Sequence, residues 1–484
     1  MKFETVIGLE IHAQINTKSK MFCSCSTDFG HTPNTNICPI CLGYPGTLPT
    51  LNQKAVSYAI MAGLALNCQI QKHSVMARKN YFYPDLPKGY QITQFELPLV
   101  LNGFLELNLN QQKNKIGITR IHIEEDAGKL IHPEQTAFQQ KNYSLVDLNR
   151  ASIPLIEIVS EPDLRSAEEA RMYMEKIHQL LVYLGICKGN LEQGNLRADA
   201  NISLRPQGAT KLGTRTEIKN LNSFKILEKA ILAEVARQTE LLTTGQKIRH
   251  QTLRFDEAQQ KTFAIRTKEA THDYRYFPEP DLIHLNVTET QIQTIKNEMP
   301  LSLESKKEIY IQKYNLNEFE SDFLLTNFDA LQYFEKCLSL NTNHVPAREI
   351  AKWIVQDLNA LIKESKHNFS TTTFKQKHLL ILLDSLQQHK TTKNIAKTIL
   401  KDAFQNNVSP ETILQKQDSN TITDVQKINE QIQIVLEQNQ DVVTKIKNGK
   451  PKSIDFLIGQ TMKATKGQAS PDIIRKIITE KLSL

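Results

Sequence analysis

Fifteen of the eighteen glycines lie at or before Gly245, and the next is Gly449. Prolines follow the same division: between residues 281 and 450 there are only Pro300, Pro346 and Pro410. Glycine and proline serve the reversals of a sheet-rich fold and interrupt helices. This 484-residue chain is therefore expected to be turn-rich α+β to about residue 290 and helical beyond it. Hydrophobic residues make up 40% and charged residues 23%, a globular balance rather than a disordered one. No apolar run approaches the roughly 18 residues of a membrane span, so an integral membrane protein is not expected. The N-terminus, MKFETVIGLE, enters a strand pattern at once, with no signal or transit segment. The net charge of +7 permits an acidic partner without requiring one.

Period-two alternation marks the strands of the first part. VIGLEIHAQI, IGITRIHIEE, LRADANISL and TRTEIKNL each put polar side chains at every second position, which gives one polar and one apolar face. Between them AEEARMYMEKIHQLLVYLG reads as a helix opened by Ser166 and closed by Gly185, and SFKILEKAILAEVARQTELLTTG as another. Beyond residue 290, LESKKEIYIQKY and PAREIAKWIVQDLNALIKE read as amphipathic helices, and the polar stretch at 405–420 as a joint. Ser470-Pro471-Asp472 is a helix start: cap, first-turn proline, then an acid for the dipole.

The polar faces carry chemistry. Glu10 and His12 point the same way on the first strand, while Leu9 and Ile11 point into the core. His122 and Glu124 share one face of the second, with Glu125 and Asp126 at its end; Arg197, Asp199, Asn201 and Ser203 share a third, and Arg215, Glu217 and Lys219 a fourth. PLIEIVSEPD sets Glu157 in an otherwise apolar strand. An ordinary solvated face also alternates. Four strands with interleaved carboxylates, histidine and arginine go further, because carboxylates with histidine ligate magnesium or manganese and flanking arginines neutralise phosphate. That combination is what phosphoryl transfer asks of a protein.

Seven cysteines are an odd number for a disulfide framework. Cys23-x-Cys25 and Cys38-x2-Cys41 are instead two thiol pairs able to close a tetrahedral site, with zinc as the default ion and a structural role, since four protein ligands leave no open position. His31 is an alternative to one thiol, and Cys68, Cys187 and Cys337 read as buried small residues. There is no G-x4-G-K-[ST], no G-x-G-x-x-G and no G-x-S-x-G, so a P-loop enzyme, a Rossmann dehydrogenase and an α/β-hydrolase are not expected. GATKLGTR at 208–215 lacks the P-loop lysine and falls between two strands as a hairpin loop. The aromatic-proline segments KNYFYPDLPKGYQ and DYRYFPEPDL read either as packed, stiffened loops or as surfaces that stack bases.

ETVIGLEIHAQI, KNYFYPDLPKGYQI, IHIEEDAGK, YSLVDLNRASIPLIEIVSEPD, LRADANISLRP, TEIKNLNSF, DYRYFPEPDL and FLIGQTMKATKGQASP together resemble the B-subunit family of the aspartyl/glutamyl-tRNA amidotransferases, over essentially the whole chain. The resemblance implies one component of a ligase, which uses ATP and Mg2+ to phosphorylate the side-chain carboxylate of Glu-tRNA(Gln) or Asp-tRNA(Asn). Ammonia from an amidase, the A subunit, then attacks, and with the C subunit the three form a heterotrimer in the cytoplasm. It also implies a mostly antiparallel cradle domain like the glutamine synthetase/guanido kinase fold, then helical and tail domains that grip tRNA. The division this gives is 1–293 for the cradle with its cysteine cluster, 294–408 for the helical domain and 409–484 for the tail.

By the same resemblance Glu10, His12, Glu125 and Glu157 take the Mg2+ positions, and Asp199 and Glu217 the other acidic positions. Strict alternation favours Glu124, beside His122, over Glu125. Arg197, Asn201, Arg215 and Lys219 are the residues expected to meet the nucleotide. Between residues 445 and 481 nine Lys/Arg face three acids, and Lys450, Lys452, Lys463, Lys466, Arg475 and Lys476 are the expected tRNA contacts. Two other readings remain at this point. A free-standing small-molecule carboxylate or guanidino kinase leaves the basic tail idle, and a non-enzymatic zinc-containing RNA-binding protein leaves the acidic face without a role.

Overall fold

The computed structural model describes residues 2–109, 112–131, 143–267, 274–365, 367–417, 425–447, 454–465, 469 and 471–482. It divides into two compact units, Met1–Pro300 and Leu301–Leu484.

The first unit is built on a nine-stranded sheet among the described residues. In chain order its strands are β1 (Phe3–Gln14), β2 (Gln69–Ile70), β3 (Val100–Leu109), β4 (Gln112–Glu125), β5 (Pro154–Ser160), β6 (Leu196–Pro206), β7 (Thr216–Leu221), β8 (Gln251–Asp256) and β9 (Lys261–Thr267). Their spatial order is β9-β8-β7-β6-β1-β5-β4-β3-β2, antiparallel throughout except for the parallel pair β7/β8. The long first strand is central, with β6 on one side and β5 on the other.

Alternation divides this sheet as the sequence requires. Ile7, Leu9, Ile11 and Ala13 of β1 are buried with Ile121 and Ile123 of β4, Ile156 and Ile158 of β5, and Ala198, Ala200 and Ile202 of β6. Helices α1 (Gln53–Ala65), α2 (Ala167–Tyr183) and α3 (Phe224–Thr243) cover that face. Their Ala59, Ile60, Tyr173, Ile177, Ala230 and Ile231 belong to the same core. The start of α2 follows capping chemistry: the Ser166 hydroxyl accepts from the Glu169 amide, and Glu168 and Glu169 sit in the positive first turn. Past its end Gly185 takes φ +69°, a conformation that glycine adopts without strain. Helix α4 (Glu289–Glu298) lies along α1 and adds Ile292 and Ile295 to the core.

The opposite face is left to polar side chains. At its β6–β7 edge GATKLGTR is a hairpin loop, tight enough that a Cβ on Gly213 would meet the Leu204 carbonyl oxygen at 2.0 Å. A β-bulge follows in β7, where register shifts between Ala198 and Ala200 and Asn220 adopts φ 62°. Arg215 falls just outside β7 and is exposed.

The second unit is helical among its described residues. LESKKEIYIQ forms a helix at Leu303–Gln312, capped by Ser302. The segment after Pro346 is α-helical at Ala347–Lys352 and Asn359–Glu364 but π-helical at Trp353–Leu358, which periodicity alone does not reveal. Within the expected joint at 405–420, Pro410–Gln417 is a helix packed on Gln376–Gln387 and Lys393–Asn406, and residues 418–420 lie outside the described residues. Near the C-terminus Ile428, Ile432, Leu457, Ile474 and Ile478 form a small core of their own. Helix Pro471–Leu482 begins where the sequence predicts, while Ser470 is outside the described residues. No described helix is long and apolar enough to cross a membrane.

Candidate active site

Register delivers the polar residues to one place. His12 lies opposite Glu157 of β5 and Arg197 of β6, Glu10 opposite Asp199, and Glu157 opposite His122 of β4. The bulge in β7 turns Lys219 and the Asn220 amide onto Asp199, each 2.8 Å from a different carboxylate oxygen. Lys219 also reaches Glu217 at 2.8 Å, and Asn201 donates to Glu10 at 2.9 Å.

Two ligand groups result, each with its donor atoms within 4.8 Å of one another: His12 with Glu124 and Glu157, and Glu10 with Asp199 and Glu217. Glu10 and His12 are two residues apart on β1, so the groups are neighbours, about 7 Å along the strand. The Nε2 atoms of His12 and His122 lie 3.3 and 3.2 Å from Glu157, and both Nδ1 atoms are buried without a hydrogen-bond partner among the described residues. Imidazole and carboxylate donors converging on one polar face suit a divalent cation such as Mg2+ or Mn2+.

The electrostatics agree. Burial works against a charged His122, yet Glu157 and Glu124 hold its imidazole up to about 9. His12 is raised in the same way, burial opposing and Glu157 prevailing. Glu157 in turn is held well below the usual carboxylate range by the two histidines, against its own desolvation. Glu10 has weaker compensation: burial, then the charges of Glu157 and Asp199, push its carboxyl up. Five carboxylates thus share the face with histidines, Lys219 and Arg197, and a bound cation would replace protons.

Seven of the expected site residues meet in this way: Glu10, His12, Glu157, Asp199, Asn201, Glu217 and Lys219. Glu125 does not join them. It is buried on the other side of β4, paired with Lys88 and accepting the Ile92 amide at 2.9 Å. Glu124 takes the place beside the histidines because it alternates with His122. Arg197 is present at the edge of the face, 3.3 Å from Asp126. Arg215 lines a pocket of about 190 Å³ with Glu10, Asn201 and Ser203.

Sequence reasoning missed three cations. Arg150 is 3.6 Å from the same buried Asp126 and donates to the carbonyls of Ala127 and Gly128. Lys79 has its ammonium in the field of Glu124 and Glu157, which hold it up against the effect of burial. Lys20 is buried in the cysteine lobe. None follows a local pattern; only KNYFYP, already notable for its aromatics, pointed near Lys79. The described parts of the two aromatic-proline segments pack on each other beside the face. Ala77–Asn80 is the middle strand of a small sheet with Tyr90–Thr93 and Phe277–Pro278, Phe95 stacks on Tyr276 at 4.0 Å, and the Asn80 amide donates to Tyr274.

The four thiols of Cys23, Cys25, Cys38 and Cys41 also lie within 4.8 Å of one another. Sulfurs around a tetrahedral zinc ion sit about 3.8 Å apart, so this donor set fits that ion, and His31 is not part of it. Cys41, which lies against the Cys23 thiol and accepts from the Cys38 amide at 3.2 Å, is pulled down to about 5, and burial pushes Cys25 up to about 11. In the second unit Lys463, Arg475 and Lys476 are exposed, and Arg475 pairs with Asp455. Lys450, Lys452 and Lys466 lie outside the described residues.

The chain matches two family models, the GatB/GatE catalytic domain over residues 5–293 and the GatB domain over residues 332–482. It is 46% identical to the B subunit of the aspartyl/glutamyl-tRNA(Asn/Gln) amidotransferase of Thermodesulfovibrio yellowstonii, over 99% of each chain. The proteins of the same name from Persephonella marina and Geobacter sulfurreducens are 44% and 43% identical, over the whole of each chain. Neither a free-standing kinase nor a non-enzymatic zinc protein is supported by these matches. A strand-ordered acidic face and end-to-end similarity at this level lead to one conclusion: the chain belongs to the B-subunit family of the aspartyl/glutamyl-tRNA(Asn/Gln) amidotransferases.

Proposed function

We propose that this chain activates the side-chain carboxylate of Glu-tRNA(Gln), Asp-tRNA(Asn) or both by ATP-dependent phosphorylation. Ammonia supplied by an amidase partner, the A subunit, then gives the amide, and with the C subunit the assembly is a cytoplasmic heterotrimer. A carboxylate is a poor electrophile because its leaving group would be oxide; phosphorylation substitutes phosphate, and ammonia displaces that. The observation that carries this reading is the pair of ligand groups, His12/Glu124/Glu157 and Glu10/Asp199/Glu217, side by side on the polar face of the central sheet.

These groups would hold Mg2+, which supplies charge neutralisation to the phosphate oxygens. Arg197 and Lys219 flank the two anions that must approach each other, and Asp126 fixes the direction of Arg197. Asn201 orients Glu10. Arg215, on the rim of the pocket beside Glu10, is suited to a phosphate or ribose of ATP. The likeness to a glutamine synthetase or guanido kinase cradle belongs to the same proposal: an antiparallel sheet with one covered and one working face. So do the tail as tRNA contact, the three domains at 1–293, 294–408 and 409–484, and a structural zinc ion on the four cysteines.

The test is ATP hydrolysis by the chain purified with its amidase and C partners, in Mg2+, with and without Glu-tRNA(Gln). Strong dependence on mischarged tRNA is the expected result. Turnover indifferent to tRNA would contradict the substrate class.

A further inference from the structure

Lys20 is 1% exposed, so its ammonium is almost wholly removed from water. Among the described residues its Nζ has two polar neighbours, the Cys41 Sγ at 3.7 Å and the Leu148 carbonyl oxygen at 3.5 Å. Neither is a carboxylate. A buried ammonium without a counter-charge is costly, and one carbonyl dipole does not offset that cost. Neutral thiols do not offset it; a negatively charged Cys41 sulfur does, and that sulfur is already drawn below the usual thiol range. Four thiolates around a divalent ion also offset it, because that assembly carries a net charge of two minus, and one sulfur lies at Lys20.

From this geometry we infer that Lys20 is the buried counter-ion of a four-thiolate metal centre at Cys23, Cys25, Cys38 and Cys41, donating to the Cys41 sulfur. The inference rests on the zinc reading of the cysteine cluster and adds to it a positioning residue outside the ligand set. Groups of this kind orient a ligand and tune its basicity. Lys20 also joins the centre to the rest of the unit. Its Leu148 partner precedes Arg150, which holds Asp126, and the Met21 amide donates to the Ser152 carbonyl at 2.8 Å. The thiolate lobe is thereby anchored to the segment that edges the polar face.

The experiment uses the chain in complex with its partners, stripped of metal and titrated with Co2+ against a competing chelator. Thiolate-to-cobalt absorption reports tetrahedral binding directly. Lys20→Met is expected to weaken Co2+ affinity roughly ten- to hundredfold and to speed chelator-driven release, with Lys20→Arg restoring most of both. A packing role alone would lower the melting temperature and leave the affinity of the folded protein unchanged. Should Lys20→Met fail to fold, Lys20→Gln keeps a polar donor without the charge and carries the same comparison. Wild-type affinity in a folded charge-free variant would overturn the assignment of Lys20. Absence of a thiolate–cobalt band in the unmodified protein would instead overturn the metal reading itself.

Discussion

At the scale of single residues, alternation decides more than identity. Glu124 and Glu125 are chemically the same, but β4 turns one toward His12 and His122 and the other toward Lys88 and the Ile92 amide. Glu124→Gln is therefore expected to lower tRNA-dependent ATP hydrolysis by roughly a hundredfold and to weaken Mn2+ binding at the sheet. Glu125→Gln should leave that Mn2+ affinity unchanged, as titration calorimetry would show. Equal loss of Mn2+ in both variants would contradict the grouping. Most of the face was legible in the sequence, because a period of two fixes which side chains share a side of a strand. Arg150 and Lys79 were not, since they arrive from segments whose course depends on tertiary contacts.

At the scale of elements, the bulge in β7 and the seam under α3 hold the face in shape. Asn220 has φ 62°, which a β-branched residue adopts only with strain, and its amide donates to Asp199. Asn220→Val should cost about 1–3 kcal/mol in urea unfolding and raise the KM for ATP, whereas Asn220→Gly should be close to neutral. Beneath the sheet Glu234 of α3 receives Arg237, Gln238 and the hydroxyls of Thr216 and Thr262. Although burial alone would raise it, Arg237 and Gln238 hold its carboxyl below the usual range. A depressed folded value means that this stability is full above the ordinary carboxylate pKa, about 4, and is lost as pH falls through the lower folded value. Asp126 behaves likewise, with Arg197 and Arg150 outweighing burial. Glu234→Ala is expected to cost about 3 kcal/mol at neutral pH, with the deficit shrinking in acid; a deficit independent of pH would contradict the ionised assignment. The strands and the helices α2 and α3 could be read from period and caps. The bulge leaves only a faint mark, Lys219 and Asn220 together between buried Ile218 and Leu221, and the π-helical turn at Trp353–Leu358 is too short to stand out from an α-helical pattern.

At the scale of the whole molecule, the uneven distribution of glycine and proline foretold a sheet-built first unit and a helical second one. The basic excess near the C-terminus belongs in part to two helices, with exposed Lys463 on one and exposed Arg475 and Lys476 on the other. Replacing Lys463 and Lys476 by Glu is expected to raise the KM for charged tRNA severalfold and to flatten its salt dependence, with glutaminase activity of the complex unchanged. An unaltered salt slope would remove the tail from the tRNA contact. The polar face of the sheet is proposed to perform the phosphoryl transfer. This role is tested most directly by single-turnover transfer from labelled ATP to Glu-tRNA(Gln) in a complex carrying Glu10→Ala. Loss of phosphoryl transfer with the partner's glutaminase intact is the predicted result, and full transamidation by that variant would contradict the account.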